Sequence, residues 1–143
     1  MLTNLLLGFS TMLLCLFLQI YLLVATIGYY MRHRFGVKQT GMLAHLLTFS
    51  IVMIMLLVGN MAQISLWAFL FMYLDEFNIF HTAFYHSMVN FGSLGYGDIV
   101  MSEKHRLLGA FEAINGVLMI GISTAALSTP FKDLLKARIT IED

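Results

Sequence analysis

The chain has 143 residues, of which 59% are hydrophobic and 11% are charged, and its mean hydropathy is +0.84. Soluble domains contain about 25% charged residues, so this composition excludes a soluble globular fold and predicts an integral membrane protein. A formal net charge of zero offers no basic surface for a nucleic-acid partner. The single cysteine, Cys15, lies in an apolar run, which excludes an intrachain disulfide and a multi-cysteine metal site.

Three apolar stretches are long enough to cross a bilayer, which takes about 20 residues in a helix. They cover residues 5–30, 44–73 and 107–129. The first stretch has neither the charged start nor the cleavage site of a signal peptide, so we expect it to be a retained span. A fourth apolar segment, residues 79–91, is too short to cross and contains several polar residues. We therefore expect this segment to enter and leave the membrane on the same side.

Basic residues set the predicted orientation, because short cytoplasmic loops carry an excess of lysine and arginine. Six basic residues follow the first and third stretches, and two lie between the re-entrant segment and the third stretch. The six are Arg32, Arg34, Lys38, Lys132, Lys136 and Arg138, and the two are Lys104 and Arg106. This asymmetry predicts an external N-terminus, a cytoplasmic C-terminus and a re-entrant segment that opens outward.

A polar hexapeptide separates the re-entrant segment from the third stretch. Its residues are Ser93, Leu94, Gly95, Tyr96, Gly97 and Asp98. A strand whose successive carbonyl groups all face one axis needs backbone dihedrals of alternating handedness. Positive φ values are comfortable only for glycine, and Gly95 and Gly97 supply it.

The hexapeptide resembles the potassium-channel selectivity filter, whose pattern is Thr-Val-Gly-Tyr-Gly-Asp. Residues 44–131 resemble the outer helix, pore helix, filter and inner helix of small prokaryotic potassium channels. The resemblance implies that residues 93–97 bind K⁺ through backbone carbonyl groups that replace its water shell. It implies no cofactor beyond the permeant ion, and it puts Asp98 at the outer mouth of the filter.

This chain departs from the family pattern at three positions. Ser93 replaces a threonine and keeps the hydroxyl ligand. Leu94 replaces a valine whose side chain points away from the pore. Gly92 replaces a second threonine, which removes a packing group behind the filter, loosens its approach and favours weaker selectivity.

The resemblance also gives roles to the segments on either side of the hexapeptide. Residues 79–91 would be the pore helix, with Asn78 or Thr82 capping its start. Residues 107–129 would be the inner helix, which Pro130 would break near the cytoplasmic mouth. Gly116 stands where the family often bends this helix, although close helix packing explains a glycine equally well. The implied pore-lining positions, including this hinge candidate, are Gly116, Val117, Ile120, Thr124 and Ser128.

Glu112 is an acid within the third stretch, where a charge is costly. Two interpretations stay open. The carboxylate either snorkels to the outer interface, or it braces the filter from behind by hydrogen bonds to groups such as Ser87, Asn90 or Tyr85. In the second stretch, Asn60 and Gln63 are expected to form interhelical hydrogen bonds.

The expected architecture is an all-α membrane protein with three transmembrane helices, a re-entrant pore helix and a selectivity-filter strand in each chain. One strand supplies a quarter of a carbonyl cage, so four copies are expected around a pore. Residues 1–43 would form an extra N-terminal helix and a cytoplasmic loop, and residues 44–131 the pore domain. Residues 132–143 would form a short tail on the inner leaflet.

The function that these features predict is passive potassium conduction across the cell membrane by a homotetramer. The expected partners are other copies of the chain, the lipid bilayer and K⁺. A weakly selective cation channel and a non-conducting channel-like scaffold or regulatory subunit are the alternatives. No nucleophile–base arrangement and no metal-ligand set in the sequence points to an enzyme.

Overall fold

Long apolar stretches become helices in a membrane because a helix satisfies its own backbone hydrogen bonds. The computed structural model describes the backbone of residues 1–37 and 42–142, and the side chains of residues 1–33 and 42–135. It has five helices: α1 (Leu2–Val37), α2 (Met42–Tyr73), α3 (Phe80–Phe91), α4 (Arg106–Ala126) and α5 (Ser128–Glu142). The predicted orientation depends on basic residues that lie partly outside the described part of the chain. These are Lys38 and the side chains of Arg34, Lys136 and Arg138.

Three segments are long and apolar enough to cross a membrane, namely Leu2–His33, Met42–Tyr73 and Arg106–Leu135. They coincide with the three predicted spans to within a few residues, which confirms the membrane assignment. The short helix α3 occupies residues 80–91 of the segment predicted to re-enter. Among the described residues no β-strand is found, so the hexapeptide after α3 is an irregular segment and forms no β-ladder.

The third span is interrupted at Leu127, three residues before Pro130. Helix α4 ends at Ala126, where the N–H of Leu127 turns back to the carbonyl group of Thr124, 3.2 Å away. Pro130 then lies in the first turn of α5, where a missing N–H removes no intrahelical bond. Because Pro130 has no N–H to donate to the carbonyl group of Ala126, the interruption at Leu127 is the predicted helix break, and it lies three residues before the proline itself.

Helix α1 runs parallel to α4 and packs against both α4 and α2. At one end the side-chain amide of Asn4 donates to the carbonyl group of Lys104, just before α4 begins. At the other end the Tyr30 hydroxyl donates to Asp133 in α5. The extra first helix is thus held along the whole length of the third span and belongs to the body of the subunit.

A buried polar contact fastens the three long helices to one another at mid-length. Gln63 Nε2 of α2 donates to Gln19 Oε1 of α1 at 2.7 Å, and Gln19 Nε2 donates to Ser123 Oγ of α4 at 2.9 Å. Ser123 Oγ also lies 3.4 Å from Asn60 Oδ1 of α2. The expected interhelical bonding of Asn60 and Gln63 is confirmed, with partners on α1 and α4 that the sequence did not specify.

Candidate functional site

The polar hexapeptide begins where α3 ends in a tightly capped turn. The N–H of Ser93 donates to the carbonyl group of Asn90 at 2.8 Å, and the N–H of Leu94 donates to that of Val89 at 2.9 Å. This pair of bonds is the Schellman arrangement, which places its C′ residue at positive φ. Ser93 takes that position with φ of 55°. The cap fixes the angle at which the chain leaves α3.

Positive φ then recurs at every second residue of the hexapeptide. Gly95 has φ of 61° and Gly97 has φ of 72°, whereas Leu94 and Tyr96 between them have no positive φ. An ideal Cβ atom on Gly95 or Gly97 would meet nothing within 4 Å. These two positions therefore require glycine because of their backbone dihedrals and not because of crowding. The alternation expected from the sequence is present.

Two hydrogen bonds fasten the outer end of the hexapeptide to α3. The Tyr85 hydroxyl donates to Asp98 Oδ2 at 2.7 Å, and this bond lowers the pKa of Asp98 because it stabilises the ionised carboxylate. At the middle of α3, His86 Nδ1 lies 3.0 Å from the carbonyl oxygen of Ile99. Since a carbonyl group only accepts, this ring nitrogen carries the proton.

His86 is also linked to the third span, because Asn90 hydrogen-bonds both His86 and Glu112. Asn90 Nδ2 lies 2.9 Å from His86 Nε2 and 3.3 Å from Glu112 Oε2. With the His86 proton on Nδ1, its Nε2 accepts from one amide hydrogen while Glu112 accepts from the other. A continuous chain of hydrogen bonds therefore joins the Ile99 carbonyl group, just outside the hexapeptide, to the middle of the subunit. Sequence reasoning had offered Asn90 as a possible partner of Glu112, but it gave His86 no part in this chain of hydrogen bonds.

Glu112 is fully buried and does not reach the outer interface. Its Oε2 faces Asn90, and its carboxyl group also lies near Ser87 of α3. Ser87 makes no hydrogen bond of acceptable geometry, however, so Asn90 is the one hydrogen-bonded neighbour of this carboxyl group. Of the two interpretations left open by the sequence, the structure provides the contacts of the buried one. Tyr85, the third suggested partner, bonds Asp98 instead.

The implied pore-lining positions divide into two groups, on α4 and at the first residue of α5. Val117, Ile120, Thr124 and Ser128 follow helical spacing along one exposed stripe of the subunit. Gly116 lies beside this stripe at the edge of the buried face of α4, where a Cβ atom would overlap the carbonyl oxygen of Phe91 at the end of α3. The packing role proposed for this glycine is thus the one that its contacts support, and α4 is continuous through Gly116.

The start of α3 differs from its predicted capping. The N-cap residue is Ile79, and no side chain hydrogen-bonds the first turn. Asn78 precedes the cap position and Thr82 lies inside the first turn, so neither side chain caps the helix. The prediction that Asn78 or Thr82 caps α3 was wrong, because the chain enters the helix one residue later than Asn78.

A separate set of hydrogen bonds, centred on Glu76, holds the loop that follows the hexapeptide. Glu76, in the turn after α2, accepts from the backbone N–H and the hydroxyl group of Ser102, at 2.8 and 2.5 Å. His105 Nδ1 lies 2.5 Å from Glu76 Oε1. Partial burial raises the pKa of Glu76, but the hydrogen bonds from Ser102 and His105 outweigh it and lower the pKa overall.

A cleft of about 540 Å³ opens between the hexapeptide and the start of α4. His86, Asn90, Gly95, Gly97, Arg106 and Gly109 are among its lining residues. Within the described residues, no three His, Cys, Asp or Glu side chains converge to hold a resident metal ion. Backbone carbonyl groups of the hexapeptide remain the groups on this side of the subunit suited to a weakly held, mobile cation.

The comparison with known families fits this geometry. A family model described as an ion channel matches residues 16–132, which is most of the chain and includes α2, α3, the hexapeptide and α4. No curated protein and no solved structure gives a significant match. A short helix seated between two spans, a capped polar segment with alternating φ and a family match over the same residues lead to one conclusion: the chain belongs to the ion-channel family.

Proposed function

We propose that the protein is a passive, potassium-selective channel formed by four copies of the chain. The observation that carries this proposal is the segment Ser93 to Gly97, with φ of 55°, 61° and 72° at alternate residues, in a chain of the ion-channel family. Alternating backbone handedness turns successive carbonyl groups toward one side. A ring of such carbonyl groups replaces the hydration shell of K⁺.

The tetramer is inferred from the exposed side chains and backbone groups of the hexapeptide in a single subunit. Within the subunit Leu94 is 55% exposed and Tyr96 is 66% exposed, although both flank the central glycine of the segment. Exposed backbone polar groups at membrane depth cost several kcal/mol each unless they face protein, water or ions. Fourfold assembly around the segment would cover these side chains and direct the carbonyl groups at a shared axis.

The exposed stripe of α4 fits the same assembly. Val117, Ile120, Thr124 and Ser128 would line the pore on the cytoplasmic side of the filter. The C-terminal end of α3 points toward the hexapeptide, and its negative dipole end favours a nearby cation by a modest amount per subunit. The channel would lie in the cell membrane with its N-terminus outside and its C-terminus in the cytoplasm, as the basic residues indicate.

A second candidate is a cation channel with weak selectivity. Gly92 lies at the end of α3 with φ of −76°, and a Cβ atom there would reach ordinary contact distance, 3.5 Å, from the Leu94 side chain. A side chain at this position would therefore pack behind the segment. Its absence leaves the inner end of the filter less supported, which favours looser discrimination between K⁺ and Na⁺.

The decisive experiment is ion flux into liposomes that contain only the purified chain. Potassium-driven flux, followed by reversal potentials under opposed K⁺ and Na⁺ gradients, separates selective from weakly selective conduction. Native mass spectrometry in mild detergent tests for the tetramer. The matched controls are Gly95→Ala, which alters the segment, and Gly28→Ala on α1, which adds a Cβ in open space. Absence of flux from correctly folded wild-type tetramers would point to a non-conducting scaffold.

A further inference from the structure

A buried polar cluster lies in the middle of the subunit, away from the exposed stripe of α4. All four helices α1 to α4 contribute to it. Its members, which we call the core cluster, are Cys15, Trp67, Ser87, Glu112 and Asn115. Each of them has 0% of its surface exposed.

The core cluster holds an unusual concentration of polar atoms without hydrogen bonds. These atoms are Trp67 Nε1, Ser87 Oγ, Glu112 Oε1, Asn115 Nδ2 and Asn115 Oδ1. The large majority of buried side-chain polar atoms in proteins have a hydrogen-bond partner. An unpaired polar group in a bilayer costs even more than one in a soluble core, because no solvent is nearby to relieve it. Several such atoms in one place therefore require a common explanation.

The polar atoms of the core cluster are neighbours in space. The Cys15 thiol interacts with the side chains of Asn115 and Trp67, and the Glu112 carboxyl group interacts with Ser87. Glu112 and Asn115 stand three residues apart on α4, so their side chains lie on the same face of that helix. The group formed by Cys15, Trp67 and Asn115 is thus joined to the pair Ser87 and Glu112 along one turn of α4.

Direct pairing among these groups does not satisfy them. Trp67 Nε1 can only donate, whereas the Asn115 amide needs both a donor and an acceptor. The groups are close enough to interact, yet none of these atoms makes a bond of acceptable geometry with another. A molecule that both donates and accepts would satisfy them together. Buried water does this, typically with about three hydrogen bonds to polar atoms that otherwise lack partners.

We propose that the core cluster is a binding site for ordered water, which bridges α2 to α3 and α4 and lies against Cys15 of the first helix. Water accepts from Trp67 Nε1 and Asn115 Nδ2, and it donates to Glu112 Oε1 and Asn115 Oδ1. Ser87 Oγ takes part in either direction. Apolar ligands do not fit a site lined by these groups, and the carboxyl group of Glu112 disfavours an anion.

Water can reach this site from the outer cleft. Asn90 lines the cleft of about 540 Å³ and lies within one hydrogen bond of Glu112. Exchange with bulk solvent would be slow, because Asn90 separates the cleft from the cluster and its amide is engaged on both sides. The first helix packs against α2 and α4 and contributes Cys15 to the wall of this site.

Hydroxyl-radical footprinting by short X-ray exposure, read by mass spectrometry, tests the proposal on the full chain in its tetrameric or detergent-solubilised form. Radicals formed from bound water react with the side chains that touch it. Cys15 and Trp67 should be modified several-fold faster than Phe71, each rate being normalised to that of the denatured chain. Phe71 is the matched control, since it lies one turn from Trp67 on α2, is equally buried and has no polar atom. This readout does not depend on conduction.

Equal normalised rates at Trp67, Cys15 and Phe71 would overturn the proposal. A variant sharpens the test: Asn115→Leu fills the site with an apolar group of similar size and should reduce labelling of Cys15 to the Phe71 level. Persistent fast labelling of Cys15 in this variant would also contradict the assignment. Should Asn115→Leu fail to fold, the wild-type comparison alone still decides, because it needs no substitution.

Discussion

Gly116 offers the sharpest test of how α3 is seated in the subunit. A Cβ atom at this position would overlap the carbonyl oxygen of Phe91 and lie 2.6 Å from its carbonyl carbon and 2.8 Å from its Cα. Ordinary van der Waals contact begins near 3.4 Å. In Gly116→Ala the end of α3 would therefore have to move by more than about 1 Å, and the obstacle is backbone, which cannot rotate aside as a side chain can.

The energetic balance of Gly116→Ala has two opposing contributions. Overpacking a well-filled core costs about 1–3 kcal/mol. Replacing a mid-helix glycine with alanine returns about 1 kcal/mol of helix propensity. The expected net effect is a destabilisation of up to about 2 kcal/mol per subunit. Because the displaced end of α3 carries the Ser93 cap, the hexapeptide should shift with it.

Thermal unfolding in detergent and reversal potentials in bilayers measure the two consequences. The matched control is Gly121→Ala on the same helix, where a new Cβ meets nothing within 4 Å. This control should be as stable as the wild type or slightly more stable, whereas Gly116→Ala should unfold at a lower temperature and lose selectivity. If Gly116→Ala proves as stable and as selective as Gly121→Ala, then α3 is not seated on α4 as described, and the reasoning fails.

Three further predictions concern the hexapeptide and its supports. Gly95→Ala should abolish K⁺ over Na⁺ selectivity while the protein still reaches the membrane, because alanine at positive φ costs about 1–2 kcal/mol in each subunit; unchanged reversal potentials would contradict this. Glu112→Ala should weaken the K⁺-dependent rise in tetramer melting temperature more than Glu112→Gln, since the loss of the acceptor leaves the Asn90 amide partly unpaired, at about 1–3 kcal/mol. Equal melting curves for both variants would remove Glu112 from the filter support. The lowered pKa of Glu76 means that its stabilisation is complete above the unfolded pKa near 4.5 and is lost as the pH falls through the lower folded value. Melting temperature measured against pH should therefore drop in that acidic range for the wild type and stay flatter for Glu76→Gln.

The sequence was sufficient for the spans and for the two glycine dihedrals of the hexapeptide. Apolar length alone gives the three helices, since lipid leaves the backbone few alternatives. Two glycines at alternate positions are enough to predict positive φ at Gly95 and Gly97. The positive φ of Ser93 did not follow from its residue type, because it arises from the capping turn that ends α3.

The supports of the hexapeptide depend on tertiary packing and could not be derived in the same way. The spacing of His86 and Asn90, four residues apart, places them on one face of α3, but nothing local shows that Ile99 and Glu112 lie at the two ends of that face. Whether Glu112 snorkels or is buried likewise depends on which face of α4 packs against α3. Parallel packing of α1 along α4 rests on contacts between residues about 100 positions apart, which no local pattern encodes.

Those contacts between distant residues also determine when, during synthesis, the polar groups of the first helix can find their partners. Asn4 and Gln19 of the first helix find partners that lie 100 and 104 residues later in the chain. Translation at about 5–20 residues per second delivers those partners on the order of 5–20 s afterwards. Gln19 can bond Gln63 earlier, since only 44 residues separate them. A nascent α1–α2 hairpin would thus wait in the membrane with part of its polar surface unmatched. Chains that stop before α4 would keep that polar surface exposed to lipid, where membrane quality control could recognise it.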